Sequence, residues 1–184
     1  MALEIERRFL VSGDQWRSHA HRARAIRQAY LSTGNGELTL RVRLARAPDG
    51  AMEAFLTLKL PAADAVAASA SAGQALTRQE YEYPIPAIDA EALLEQSVHQ
   101  VSKTRYGLDL PGGDWVLDVF EADNAPLVVA EVELERADQA VAVPAWCSRE
   151  ITGRRDLSNA ALAHRPLVAW PVAERESLLL PRSG

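Results

Sequence analysis

Residues 3–11 read LEIERRFLV, which sets Glu4, Glu6 and Arg8 at alternate positions with Leu3, Ile5, Phe9 and Val11 among them. Side chains of an extended chain point to opposite faces with a period of two, so the alternation predicts a strand over residues 2–11. One of its faces is charged and the other apolar. Arg7 breaks the pattern on the apolar side, where its stem can cover apolar surface while the guanidinium snorkels to solvent. Taken alone, such a strand is compatible with a solvated surface strand.

The same alternation returns along the chain. In residues 37–45, ELTLRVRLA, the face of Thr39, Arg41 and Arg43 opposes Leu38, Leu40, Val42 and Leu44; in 54–60, AFLTLKL, Phe55, Thr57 and Lys59 oppose Leu56, Leu58 and Leu60. TRQEYEY (77–83) aligns Arg78, Glu80 and Glu82, and SKTRYGL (102–108) aligns Lys103 and Arg105. WVLDVF (115–120) sets Asp118 between Leu117 and Val119, and VAEVELE (129–135) aligns Glu131, Glu133 and Glu135 against Val132 and Leu134. Strands are expected near 2–11, 24–31, 37–46, 51–60, 76–85, 100–109, 114–121 and 127–136, mostly antiparallel by their spacing.

Turn chemistry joins them: STGNGE (32–37), APDGA (47–51) and LPGGD (110–114) supply Gly, Asn and Asp, which accept positive φ cheaply. Short helices are expected over 14–20, over 89–98 with Asp89 as N-cap, and after Asp156 or Ser158 with a stop at Pro166. The Ala/Ser-rich stretch 62–75 reads as a loop. Trp115, Trp146 and Trp170 read as core or cover, and Tyr30 and Tyr106 as packing residues.

An open antiparallel sheet backed by helices would also show one polar face. A surface would mix Thr, Ser, Gln and Lys; here the polar positions are rich in Arg and Glu, and the expected helices are few. The fold expected is α+β, mainly β: a closed eight-stranded antiparallel barrel with charged faces inward and a few flanking helices. Buried charge of this kind must be neutralised internally or by a charged ligand. Carboxylates two residues apart, about 7 Å along a strand, can share a divalent cation, while Arg and Lys grip an anion. A metal-bound polyphosphate answers both sets.

Composition narrows the rest. With 184 residues, 48% of them hydrophobic, the chain suffices for one domain with a sizeable core. A net charge of -5 argues against nucleic-acid binding, and the single Cys147 excludes an internal disulfide or a multi-cysteine metal site. The first residues hold no apolar signal segment, and nowhere do eighteen apolar residues run together, so a cytoplasmic protein without a membrane span is expected. His19, His21, His99 and His164 show no zinc-ligand spacing, and neither a glycine-rich phosphate loop nor GxSxG occurs.

LEIERRFLV resembles the ExExK signature that opens the CYTH superfamily of triphosphate tunnel metalloenzymes. The likeness continues in order through LTLRVR, LTLK, TRQEYEY, SKTRY, VLDVF, AEVELE and EITGRRDLSNAALA, across roughly residues 2–164. The resemblance implies a tunnel that binds a triphosphate through basic residues with Mg²⁺ or Mn²⁺ on glutamates. Carried over, Glu4, Glu6, Glu131 and Glu133 are metal ligands, with Asp118, Glu80 and Glu82 as further acids. Arg41, Arg43, Lys59, Lys103 and Arg105 match phosphate-binding positions, and Arg78 joins them. The small bacterial members most similar in TRQEYEY and SKTRYGLDLP hydrolyse inorganic tripolyphosphate, whereas others are class IV adenylate cyclases or thiamine triphosphatases. A non-catalytic polyphosphate or nucleotide binder is the reading outside the enzymes.

Two departures stand out. Arg8 replaces the signature Lys and cannot act as a general base, since its pKa stays above about 12; either it grips phosphate, or a proton-transfer role is lost here or has moved to Lys103. The family's frequent Arg-Tyr before Ser-Asn is here Asp156-Leu157, a lost contact that Arg154 or Arg155 could supply. The matched domain is expected over 1–168, with 169–184 as an extension that caps the barrel, supports a homodimer or stays disordered.

Overall fold

The computed structural model describes residues 2–31, 38–61 and 76–180; the turn expected at 32–37 and the loop expected at 62–75 lie outside these. The strands are β1 (Ala2–Val11), β2 (Ala20–Tyr30), β3 (Thr39–Arg46), β4 (Met52–Pro61), β5 (Leu76–Pro84), β6 (Gln100–Leu108), β7 (Asp114–Phe120), β8 (Val128–Glu133) and β9 (Cys147–Glu150). Three α-helices accompany them: α1 (Ala87–Gln96), α2 (Asn159–His164) and α3 (Val172–Leu179). The protein is thus mainly β, one antiparallel sheet with few helices. None of the described helices is long and apolar enough to cross a membrane.

The sheet runs β5-β4-β3-β2-β6-β7-β8-β1-β9, with a further ladder between β5 and β1. This corrects the expected strand count. Among the described residues there are nine strands, because Cys147–Glu150 adds a short ladder on β1 from Phe9↔Glu150 to Val11↔Cys147. Where a closed barrel was expected, β5 meets β1 over five pairs, Ala2↔Glu80 to Glu6↔Leu76. The four residues CSRE lack the alternation that marks the other strands, which is why β9 escapes a pattern search.

Residues directly opposite in an antiparallel ladder share a face. The pairs Arg8↔Glu131, Arg105↔Asp118, Thr57↔Glu82 and Lys59↔Glu80 therefore put the charged positions of six strands on one side of the sheet. The other side is apolar and covered in two places. Ala29, Val42, Leu44 and Ala54 pack under Ala90 and Leu94 of α1, while Ile5, Phe9, Leu117, Ala130 and Val132 pack with Trp16, Trp115 and Trp146.

Local chemistry adjusts several boundaries. The first expected helix is a single 3-10 segment, Gln15–His19, anchored by buried Trp16. α1 starts two residues before the expected Asp89 cap, because the Pro86 carbonyl already accepts from the amides of Asp89 and Ala90 at 3.1 Å. Asp89 stays in the first turn, where its charge suits the helix dipole. Arg7 does not reach for solvent; it makes a bidentate pair with Glu150 at 2.9 and 2.8 Å and lies over the Phe9 ring. In the β6–β7 turn Gly113 has φ +151°, and a Cβ there would stand 2.6 Å from the Glu133 carbonyl oxygen, so glycine is required.

The charged face ends in an apolar patch. Two residues on from Arg8, Glu131, Asp118, Lys103 and Gln28 along their strands stand Leu10, Val129, Phe120, Val101 and Tyr30, all buried. These form one cluster with Leu157, Leu162, Leu167, Trp170 and Leu178. The C-terminal segment therefore caps one end of the charged face, and α3, absent from the expected elements, is part of that cap. Of Leu178, Leu179 and Leu180 only Leu178 is buried. Leu178→Ala should lower the unfolding free energy by about 2–5 kcal/mol, read as the shift in urea midpoint at unchanged slope; no shift would mean that α3 does not seal the cap.

Candidate functional site

Asp118 has no exposed surface, and its register partner Arg105 grips it with Nε–Oδ1 at 2.7 Å and Nη2–Oδ2 at 2.6 Å. Lys103, two residues along the same strand and 2% exposed, donates to Asp118 Oδ2 at 2.6 Å and to Asn159 Oδ1 at 3.1 Å. From Asp118 the network passes through Arg105 to Glu131 Oε2 at 2.8 Å, and from Glu131 Oε1 to Arg8 Nε at 2.9 Å. Arg8 also donates through Nη1 to the Leu157 carbonyl at 3.1 Å.

Each shifted group reports its surroundings. Burial pushes the Asp118 and Glu131 carboxyls up, yet the cations beside them win and hold both below the usual carboxylate range. Burial also pushes the Lys103 ammonium down, to about 8, although Asp118 pulls the other way; it is protonated at neutral pH. Arg8 and Arg105 are raised despite burial, Arg8 chiefly by Glu131 and Glu6, and Arg105 chiefly by Asp118 and Glu131.

A second network lies on β3, β4 and β5. Lys59 Nζ donates to both oxygens of Glu4 at 2.7 and 2.8 Å and stands 3.1 Å from Glu80. Arg41 Nη2 reaches Thr57 Oγ1 at 3.0 Å, Glu80 at 3.3 Å and Glu82 at 3.2 Å. Arg43 holds Glu82 at 2.8 Å and stacks on Phe55, which shares its face. Burial and the charge of Arg41 lower the Arg43 pKa.

Among the described residues, two buried donor atoms of this paired array have no hydrogen-bond partner, Arg8 Nη2 and Arg41 Nε, one in each network; Arg149 Nε, in β9, is a third. A buried unsatisfied donor costs on the order of 1–3 kcal/mol, and an acceptor brought to it would relieve that cost. Phosphate oxygens meet guanidinium donors of this kind well.

The acids expected to hold metal divide by environment. Asp118, Glu131 and Glu82 are engaged by guanidinium or ammonium groups, and Glu6 lies opposite Glu133 and acts on Arg8 and Arg105. Glu133 is exposed, and burial of part of its side chain together with the charges of Glu4, Glu80 and Asp114 raises its pKa. Among the described residues no three His, Cys, Asp or Glu side chains already form a metal cage. The donor set still suits a hard cation, since the carboxylates repel one another and the Lys59 ammonium already stands between Glu4 and Glu80 as a cation.

Other expected residues fall elsewhere. Arg155 is exposed, and Arg154 is tied to Asp156 at 2.9 and 2.6 Å rather than to the charged face. Arg78 lies in β5, with its side chain outside the described part. Sequence reasoning missed Asn159 and Gln28. Gln28 is buried on the charged face and donates to the Tyr30 hydroxyl at 2.8 Å, and the sequence hides it because its face also carries Ile26 and Tyr30 while the charge of Arg27 lies on the other face. Two cavities of about 450 and 470 Å³ lie away from the charged face, beside Arg149 and Trp170 and beside His99 and His164.

Because Asp118 and Glu131 have depressed pKa values in the folded chain, their stabilisation is complete above the unfolded carboxylate pKa of about 4 and is lost as pH falls through the folded values. Glu133, shifted the other way, opposes this only in part. Denaturant titrations should show stability falling with acidification below about pH 4, with a shallower acid limb in Glu131→Gln; an unchanged limb in that variant would contradict the pairing.

With this geometry in hand, comparison with known proteins is direct. The CYTH domain family model matches residues 2–161. A protein of Acetivibrio thermocellus named inorganic triphosphatase is 33% identical over 168 residues, covering 90% of this chain and 96% of the relative. One of Nitrosomonas europaea with the same name is 37% identical over 164 residues, covering 87% and 96%. Among solved structures, the crystal structure of an inorganic triphosphatase is 34% identical, covers 93% of this chain and 98% of its own, and superposes with a TM-score of 0.58. The charged face, its capped end and the matched length therefore belong together: this chain is a member of the CYTH domain family.

Proposed function

We propose that this chain is a metal-dependent triphosphatase that hydrolyses inorganic tripolyphosphate to pyrophosphate and phosphate. The single observation that carries the reading is a pair of buried donors, Arg8 Nη2 and Arg41 Nε, that have no partner among the described residues and are set among Lys59, Arg43, Lys103 and Arg105 on one face. The names of the two bacterial relatives support it. The β1–β5 ladder supports a tunnel closed by eight of the strands, with β9 outside the ring. The working unit is residues 1–168, and the extension 169–184 contributes Trp170 and Leu178 to the cap. A cytoplasmic setting fits the free Cys147.

Glu4, Glu6, Glu131 and Glu133, with Glu80, Glu82 and Asp118 nearby, would hold Mg²⁺ or Mn²⁺. When bound, the cation withdraws charge from non-bridging phosphate oxygens. Arg8, Arg41, Arg43, Lys59 and Arg105 hold the chain of phosphates by charge-assisted hydrogen bonds and keep it extended. Lys103 presents an ammonium to an oxygen on which charge develops. A water attacks the terminal phosphorus, its oxygen forming the new P–O bond as the bond to the departing pyrophosphate breaks and its proton passing to solvent or to phosphate oxygen. Positioning and electrostatics are sufficient for this step, which accords with a face whose described residues in the two networks are charged groups rather than a serine or cysteine nucleophile.

The test is phosphate release from tripolyphosphate, ATP and thiamine triphosphate with Mg²⁺ or Mn²⁺, before and after chelation, with product identification. Turnover of tripolyphosphate that stops with chelator is expected; cyclic AMP from ATP would move the protein to the cyclases, and no metal-dependent turnover of any triphosphate would refute the enzyme. Arg8 decides a second point. If it grips phosphate, Arg8→Lys should stay within about threefold of the parent, and Arg8→Ala should lose roughly 10–100-fold, the worth of a charged hydrogen bond. A large gain in Arg8→Lys would instead restore a proton-transfer role.

A further inference from the structure

Lys103 is the most buried cation of the site, and what holds it comes from two directions. Asp118 belongs to the neighbouring strand, whereas Asn159 is the first residue of α2, in the cap. An ammonium offers only donors, so the group facing it is the amide oxygen of Asn159. The first turn of α2 is itself fixed. Ser158 accepts from the Ala161 amide at 3.1 Å, and Leu157 and Leu162 on either side are fully buried in the capping cluster.

A salt bridge to Asp118 alone would neutralise Lys103 but leave its four-carbon stem free to swing about that single contact. A second acceptor, 3.1 Å away on another element, removes the freedom, and the Phe120 ring 5.4 Å from Nζ bounds it from the apolar side. We infer that Asn159 is a positioning residue for Lys103: its side-chain oxygen at the start of α2, and not the sheet alone, sets where this buried ammonium points. The inference rests on the triphosphatase reading, because positioning matters only if Lys103 faces the substrate.

The experiment compares Asn159→Leu, which fills similar space without an acceptor, and Asn159→Ala with Asn159→Asp, which restores an oxygen at the same place. Leu178→Ala serves as a control that loosens the cap without touching Lys103. Steady-state kinetics on tripolyphosphate and thermal unfolding are measured on each. Loss of aim should lower kcat about tenfold or more with KM changed less than about threefold, at a melting temperature close to that of the parent. Asn159→Asp should recover most of kcat, and Leu178→Ala should lose melting temperature while its kcat stays within about twofold.

If Asn159→Leu and Asn159→Ala keep kcat within about twofold, if Asn159→Asp fails to recover it, or if Leu178→Ala loses kcat in proportion to stability, Asn159 is only structural and the inference falls. Should Asn159→Leu not fold, Asn159→Ala carries the same comparison. A parent protein inert toward tripolyphosphate overturns the functional reading and this inference with it, an outcome distinct from an active parent with indifferent variants.

Discussion

A carboxylate with no exposed surface, gripped by two cations within 2.7 Å, is the contact on which the rest of the molecule turns. Asp118 could not remain charged in the interior without Arg105 and Lys103, nor could they without it, because an unpaired buried charge costs several kcal/mol or more. The pairing works only in one register. A slip of one residue between β6 and β7 would turn Arg105 and Lys103 onto the apolar side, among Trp16, Trp115 and Leu117, and bring Thr104 or Tyr106 to face Asp118. The electrostatics of the site and the register of the sheet are therefore one constraint.

The same constraint shapes the covering elements. A sheet with charge on one face must bury the other, and α1 and the Trp16–Trp115–Trp146 cluster divide that work between them. The charged face cannot run to the edge at every point either. At the level of Leu10, Val101, Phe120 and Val129 it becomes apolar and needs its own cover, which the chain supplies from its C-terminal third. The cap then meets the boundary between apolar and charged surface, and there its polar groups, the Leu157 carbonyl and the Asn159 amide, are spent on Arg8 and Lys103.

How much of this the sequence discloses depends on the period of the pattern. β1 is read to the residue, and β3 to β8 to within a few residues, because alternation of Arg or Glu with Leu or Val is unambiguous over six or more positions. Thr57, Lys59 and Glu80 fall on the expected face for the same reason. Three things are hidden. Register cannot be read from one strand at a time, so the pairing of Asp118 with both Lys103 and Arg105 emerges only with the fold. β9 and α3 are too short and too mixed to show a period. Asn159 looks like an ordinary residue after a helix cap, and its value comes from a lysine 56 residues away.

Seen as sequence, Arg8 for Lys and Asp156-Leu157 for Arg-Tyr are separate departures from the CYTH pattern. In space they meet, since Arg8 Nη1 donates to the Leu157 carbonyl while the Leu157 side chain is fully buried in the cap. A lysine at position 8 would present three donors from one nitrogen, whereas the guanidinium spreads its donors over a plane. That geometry lets Arg8 hold Glu131 through Nε and the cap through Nη1, while Nη2 has no hydrogen-bond partner among the described residues. The buried Leu157 side chain leaves its carbonyl as the group presented to the charged face. The forked cation at residue 8 thus ties the charged face of the sheet to a backbone acceptor in the cap.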